Sequence, residues 1–306
     1  MEKRQVLLWF RRPSVIVGIA VSILSIALLG YLVNVRDLIA HLEAANVAFV
    51  VPGLVLAVLG AYLRALRWRA MFGNDVPYWN AFHAENVGGL LNSILPLRAG
   101  EAARAYMLSK AANARSLSAL EALSSVVVIR IADALATVAL FGLLLPALDV
   151  PDLLKAAGYS LLGVAVLAAL VVIVGAFART WLVRVAGAVL GRLFPTPHTQ
   201  RLLAWLDSFM GGLTILRNPR RLLMFSALTI GLWAAYVLFY WVVMMAFWPS
   251  PPLAWGVLAT CTATLGLALP SSPAGIGVFE AAVAFAMTPY LQADTAAAYA
   301  IVVHAS

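Results

Sequence analysis

Stretches of about twenty predominantly apolar residues recur along this chain, and arginines gather in some of the intervals between them and not in others. A run of that length is what an α-helix needs to cross the roughly 30 Å hydrocarbon core of a bilayer. Of the 306 residues, 63% are hydrophobic and 11% charged, against about 45–50% and about 25% in soluble domains. That composition excludes a water-soluble enzyme. The longest interval without a membrane-length run, 179–221, is too short and too apolar for a large extramembrane catalytic domain. The expected fold is an all-α, polytopic transmembrane helical bundle forming one integral membrane domain over 1–306.

The net charge of +8 is then a topology signal, because cytoplasmic loops collect Lys and Arg, and it requires no nucleic-acid partner. Lys3, Arg4, Arg11 and Arg12 precede the first run, 15–35, in the order of a signal peptide. No small-residue cleavage site follows, so it reads as a retained anchor with a cytoplasmic N-terminus. The second run, 48–66, ends at Arg64, Arg67 and Arg69 and returns the chain inside. The run 119–148 crosses outward, 157–177 returns, and 222–248 crosses outward again to an aromatic and proline boundary at Trp241, Trp248 and Pro249. In this arrangement all basic residues except Arg36, Lys155 and Arg130 face the cytoplasm. Between 179 and 221, seven arginines alternate with Trp, Leu and Phe around a Pro-Thr-Pro break at 195–197. That mixture predicts two amphipathic helices on the cytoplasmic leaflet.

Two segments do not read as ordinary spans. Residues 78–97 contain Asn80, His83, Glu85, Asn86, Gly88, Gly89, Asn92 and Pro96 and lie between two basic clusters, so an even number of crossings is needed there. Residues 253–304 hold three apolar pieces with no Lys or Arg between them, interrupted by Pro270, Ser271, Ser272, Pro273, Gly275 and Gly277. Both are expected to be re-entrant hairpins, the first entering from the cytoplasm and the second from outside. Irregular backbone at membrane depth is tolerated only where it is buried in protein or lines a cavity. Each hairpin runs through the same order, an apolar run, then Pro, Gly and Glu (Pro96, Gly100, Glu101; Pro270, Gly275, Glu280), then an apolar helix. That order points to an inverted repeat. Pro ends one half-helix, and the free N–H groups opening the next suit a phosphate or carboxylate. A tightly packed kink would read the same way. The last apolar piece stops at Ser306, short of a crossing, so either the final span is very short or the chain continues.

Charges at depth cost about 2.5–3.5 kcal/mol each and need partners. Arg130 and Asp133, one turn apart, are able to neutralise each other. Arg98, Glu101 and Arg104 repeat at the same spacing. Glu280 has no Lys or Arg within 50 positions, which leaves a distant Arg, protonation or a cationic substrate group as its complement. His83 beside Glu85 suggests a proton relay or, more simply, a hydrogen-bonded structural histidine, while His41, His198 and His304 stand isolated. Cys261 is the single cysteine and forms no intrachain disulfide. A Walker loop, Cys/His metal spacing and a Gly-x-Ser-x-Gly elbow are all missing from the sequence, so no catalytic residue, metal or cofactor is expected.

Asn92-Ser-Ile-Leu-Pro96-Leu-Arg98-Ala-Gly100-Glu101-Ala-Ala-Arg104, Arg130-Ile-Ala-Asp133 and Leu269-Pro270-Ser-Ser-Pro-Ala-Gly275-Ile-Gly277-Val-Phe-Glu280 resemble the lysylphosphatidylglycerol synthase transmembrane, or flippase-like, family. That family includes the membrane half of the bacterial multiple peptide resistance factor and stand-alone relatives. The resemblance implies that Arg98, Glu101, Arg104, Arg130, Asp133 and Glu280 line a lipid translocation cavity between the hairpins. Ile129 stands where the family often has Glu, so the cavity's charge balance differs. Family members also continue past this C-terminus.

The expected function is a plasma-membrane, flippase-like transporter without enzymatic activity. It would move an aminoacylated phospholipid or a polyprenyl-phosphate-linked lipid between leaflets, with a homo-oligomer left open. The alternative is a non-transporting partner of a separate aminoacyl- or glycosyltransferase of the cell envelope.

Overall fold

The computed structural model describes residues 13–94, 99–111, 117–147, 159–160, 162–167, 169–170, 174, 177–193, 196–213, 217–268 and 273–306. Among them every regular element is helical. The elements used below are α1 (Pro13–Leu32), α2 (Val35–Glu43), α3 (Val47–Phe72), α4 (Tyr78–Ile94), α5 (Gly100–Ala111), α6 (Ala119–Leu144), α7 (Arg179–Leu193), α8 (Thr196–Gly212), α9 (Pro219–Met244), α10 (Leu253–Ala268), α11 (Val278–Met287) and α12 (Ala293–Ala305).

Three helices, α3, α6 and α9, are each 26 residues long and apolar enough to cross a membrane. Their starts are written locally. Asn46 Oδ1 accepts from Ala48 N, Asn218 Oδ1 from Arg221 N, and at α6 Ser118 and Glu121 exchange side-chain and backbone bonds in a capping box. The bent pair α1–α2 makes a fourth candidate span. Asn34 caps α2 at the bend, through Arg36 N at 3.0 Å, and turns the chain by 86°. The sequence between Arg36 and Glu43 reads as a mixed loop, yet Val35, Leu38, Ile39 and Leu42 recur at helical spacing and support a short helix there. The expected span 157–177 falls largely outside the described residues.

α3 and α9 form the tightest pair of the bundle. Gly53 and Gly60 on α3 let Val243 and Tyr236 of α9 approach closely, as small residues do between helices in lipid. α3 continues six residues beyond the expected end of its span at 66, because Trp68, Met71 and Phe72 are buried in the first core. That core gathers α3, α4, α5, α6 and Phe225 of α9 around Trp68 and Leu108. A second core joins the other end of α9 to α10, α11 and α12 around Met244, Met287 and Tyr299.

The 179–221 segment forms two helices, α7 and α8, on either side of 194–195. Arg179 Nη2 lies 2.7 Å from Asp207 Oδ1 between them. Leu182, Leu206, Phe209 and Met210 pack onto the first core, while Trp181 and Trp205 remain exposed.

Both expected interruptions are present as helix, break and helix. α4 gives way to α5, and α10 to α11, the latter through a single turn at Pro273–Gly275. Pro96, Arg98, Pro270, Ser271 and Ser272 lie outside the described residues. The two broken elements meet, because α4 packs directly against the Pro273–Gly275 turn. α10 and α11, at 16 and 10 residues, are each too short to cross alone.

Candidate functional site

The first break closes on glycine. A Cβ on Gly100 would collide with the Gly88 carbonyl, and one on Gly88 would meet Arg104 Cβ at 2.8 Å. α4 and α5 therefore pack backbone to backbone, which carries Glu101 and Arg104 of α5 inward to face Glu85 and Asn92 of α4.

A charge network follows. Arg104 Nη1 donates to Glu85 Oε2 at 2.6 Å, and Arg104 Nη2 lies 2.5 Å from Glu101 Oε2. The other Glu101 oxygen accepts from Arg130 Nη2 on α6 and, at 3.4 Å, from Asn92 Nδ2. Arg104 also lies over the Trp68 ring, 5.2 Å from its centroid. One turn along α6, Asp133 receives a two-pronged bond from Arg67 of α3 (2.5 and 3.2 Å) and a third from the Trp233 indole of α9 at 3.2 Å. The helix spacing of Arg130 and Asp133 permits a local pair, but each side chain points to a different neighbour. Bonds to separate helices tie α6 to α3, α5 and α9 at once.

Burial grades through this network. The Arg67 side chain is 3% exposed and Arg104 5%, whereas Arg130 is 47% exposed. Arg130 thus holds a buried carboxylate with one edge and presents the other outward, near the middle of α6. Three guanidiniums, those of Arg67, Arg104 and Arg130, stand against the carboxylates of Glu85, Glu101 and Asp133. Several buried polar atoms here have no hydrogen-bond partner among the described residues, including Asn92 Oδ1, Arg67 Nε and Arg104 Nε. Such orphans are uncommon in finished cores and suit a site completed by water or a polar ligand.

Sequence reasoning placed Arg67 in the basic cluster that returns the chain to the cytoplasm, and named Glu85 among the polar residues of 78–97 and beside His83. The signal for Arg67 was the apolar face that continues past it at Trp68, Met71 and Phe72. His83 lies against Trp79 and Phe82, and its neighbour Glu85 is taken by Arg104.

Glu280 opens α11 at the second break. Its Oε2 accepts from Gly277 N at 2.7 Å, and its Oε1 is 2.6 Å from His304 Nδ1 on α12. His304 is therefore not isolated, and it supplies the complement that the surrounding sequence lacks in Lys and Arg. Gly275 and Gly277 take φ of 78° and 87°, and Ala274 takes 60°. A Cβ at Gly277 would press on Ile26 and the Ser22 carbonyl of α1. His41 also has a neighbour, Thr295 Oγ1, at 3.3 Å. Among the described residues no group of His, Cys, Asp and Glu is arranged to hold a metal ion.

The model of a protein family described as lysylphosphatidylglycerol synthase TM region matches residues 15–306. The chain belongs to that family. The match to the lysylphosphatidylglycerol synthase TM region covers both breaks, the network around Arg130 and the Glu280–His304 pair. The chain is also 26% identical, over 325 residues, to the protein named Glycosyltransferase AglD of Haloferax volcanii. The alignment takes in 96% of this chain and 51% of AglD, so the chain spans about half the length of this relative. No solved structure matches it.

Proposed function

We propose that this membrane domain is a flippase-like transporter that moves a phosphate-bearing amphiphile, an aminoacylated phospholipid or a polyprenyl-phosphate-linked lipid, between leaflets, with no bond made or broken by the chain itself. The observation that carries this is Arg130. A half-exposed guanidinium near the middle of a membrane-length helix costs free energy on insertion, and it is held by Glu101, whose other oxygen lies against Arg104. A guanidinium so placed offers bidentate bonds to a phosphate. The family and the glycosyltransferase-named relative place the protein among membrane proteins of the cell-envelope lipid pathway.

In this reading Arg98, Arg104 and Arg130 attend the phosphate, and Asp133 fixes Arg67 and the wall. Glu101 and Glu280 lie toward the cationic or hydroxylated part of the headgroup. Gly100, Gly275 and Gly277 belong to the two tips, to which the sequence also assigns Pro96, Pro270, Ser271 and Ser272, outside the described residues. The tips are re-entrant hairpins of inverted-repeat origin entering from opposite sides, and the N-terminus faces the cytoplasm of a plasma membrane. α7 and α8 lie along the cytoplasmic leaflet through Trp181, Trp205 and their arginines. The test is movement of labelled lipid in proteoliposomes, resolved by leaflet, for the protein, Arg98→Ala and Glu280→Gln. Faster movement than in empty vesicles, reduced in both variants, supports transport. Equal rates in all samples, empty vesicles included, would eliminate it.

One observation favours a second reading. The relative carries glycosyltransferase in its name, and about half of it lies outside the match. A membrane partner that seats a separate aminoacyl- or glycosyltransferase would depend on the α7–α8 hairpin more than on Arg130. Neutralising each in turn, scored by co-purification with that enzyme and by envelope lipid composition, separates the two.

A further inference from the structure

His304 sits between two groups that only accept hydrogen bonds. Its Nδ1 lies 2.6 Å from Glu280 Oε1 and its Nε2 3.1 Å from the Ala274 carbonyl oxygen. A neutral imidazole has one N–H to donate, and an ionised carboxylate and a carbonyl have none. Both contacts therefore form together only when the pair carries one proton more than carboxylate plus neutral imidazole, either as imidazolium with carboxylate or as neutral imidazole with carboxylic acid. The His304 ring is stacked on Phe279 with centroids 4.3 Å apart, which fixes its plane, so it does not swing away to satisfy one partner at a time.

The carbonyl it holds belongs to Ala274, a non-glycine residue at φ 60°, ψ 0°, a strained conformation that persists only where its surroundings impose it. The other end of the pair is equally tied to the break, since Gly277 N donates 2.7 Å to Glu280 Oε2. The Pro273–Gly275 turn so clasped is the piece that packs on α4, the helix that supplies Glu85 to the charge network.

We infer that Glu280 and His304 form a proton-binding site whose single shared proton clasps the second break, and whose release loosens the Pro273–Gly275 turn from α4. When the proton leaves, His304 keeps one N–H. If that N–H stays on Glu280, a bare Nε2 faces the Ala274 carbonyl, and the contact becomes repulsive. The surroundings leave this equilibrium to the pair. The facing part of α1 offers no charged side chain, and α10 offers only Cys261, whose thiol is bonded to the Thr137 carbonyl. α9 presents Tyr240, which accepts from Tyr299 through its carbonyl, and holds Arg220 and Arg221 at its opposite end. α4 presents Glu85, already bonded to Arg104, together with His83 and Tyr78. Arg36, Asp37, His41 and Glu43 of α2 stand at the far end of α12 beside Thr295 and Asp294, about 15 Å of helix from His304. A proton-driven lipid cycle follows where this site is joined to the transport proposed above, and it rests on that reading. The proton site does not.

Both parts are testable on the full chain in lipid nanodiscs and proteoliposomes. Isotopically labelled histidine gives ring-nitrogen resonances, and those lost in His304→Gln belong to His304. They should show the pair's extra proton near neutral pH and its loss in alkaline buffer. A fluorine probe on Ile276→Cys, in a Cys261→Ser background, should shift over the same pH interval and lose that shift in His304→Gln and Glu280→Gln. A His304 spectrum unchanged at every pH, or a fluorine shift that persists in both variants, overturns the proton site. With the site intact, a pH gradient should accelerate labelled-lipid movement in the protein and not in His304→Gln. Movement indifferent to the gradient overturns the coupling, whereas absence of any movement in any sample strikes the transport reading and leaves the spectroscopic result standing.

Discussion

At the scale of single residues, the pairing of Arg67 with Asp133 makes the sharpest claim about stability. Both side chains are largely buried, 3% and 23% exposed, and joined by two bonds. Removing one partner strands the other, which costs about 3–5 kcal/mol for a buried pair, while replacing both by apolar residues of similar volume costs far less. Thermal unfolding in detergent of Arg67→Met, Asp133→Leu and the double variant should give two unstable singles and a double closer to the parent. A double as unstable as the sum of the singles would mean the two charges act separately. The glycine contact is equally exposed to test. Gly88→Ala puts a methyl against Arg104 Cβ and the Gly100 carbonyl and should cost about 1–3 kcal/mol by overpacking, whereas Gly89→Ala, where nothing lies within 4 Å, should be tolerated.

Several members of the charge network were conspicuous in the sequence, because charge inside or beside an apolar run stands out. Glu101, Arg104, Arg130, Asp133 and Glu280 all stood out on that ground. Their partners were not legible. Arg130 and Asp133 sit one turn apart and satisfy the local rule for a pair, yet tertiary packing hands one to Glu101 and the other to Arg67. The choice depends on how α3, α5 and α6 rotate about their axes, and spacing within one helix carries no information about that. Glu280 and His304 are 24 residues apart on different helices, and nothing local joins them.

At the scale of elements, the long spans α3, α6 and α9 follow from length and apolarity, and the helix pair α7–α8 from its Pro-Thr-Pro break. The bend into α2 was missed because a short amphipathic helix mixes charged with apolar residues and imitates a loop. The ends of α3 were misjudged for a related reason. The arginines at 64, 67 and 69 were read as the cytoplasmic end of the span, but Arg67 is buried beside Trp68. Two predictions belong at this level. Ser118→Ala removes one side of the α6 capping box (Ser118 Oγ to Glu121 N, 3.1 Å) and should destabilise the protein by about 1 kcal/mol in the same unfolding assay. Single cysteines at Ala99 and at Ile276, probed in oriented vesicles with a membrane-impermeant reagent, should label from opposite sides. Labelling of both from one side contradicts inverted hairpins.

At the scale of the whole molecule, two cores share the long helix α9, and the two breaks touch through α4 and the Pro273–Gly275 turn. The charge network lies against one core and the Glu280–His304 clasp against the other. The two breaks are thus in packing contact, an arrangement that the proposed carrier would use to open its two sides in alternation. The central claim is that Arg130 holds a lipid phosphate near the middle of α6 while it passes between leaflets. The most direct measurement is leaflet-resolved movement of a labelled anionic phospholipid in proteoliposomes bearing the protein or Arg130→Ala, with both folded and inserted to the same extent. The protein should move lipid faster than empty vesicles and Arg130→Ala should lose most of that excess. Equal excess movement in the two, or none in either, would contradict it.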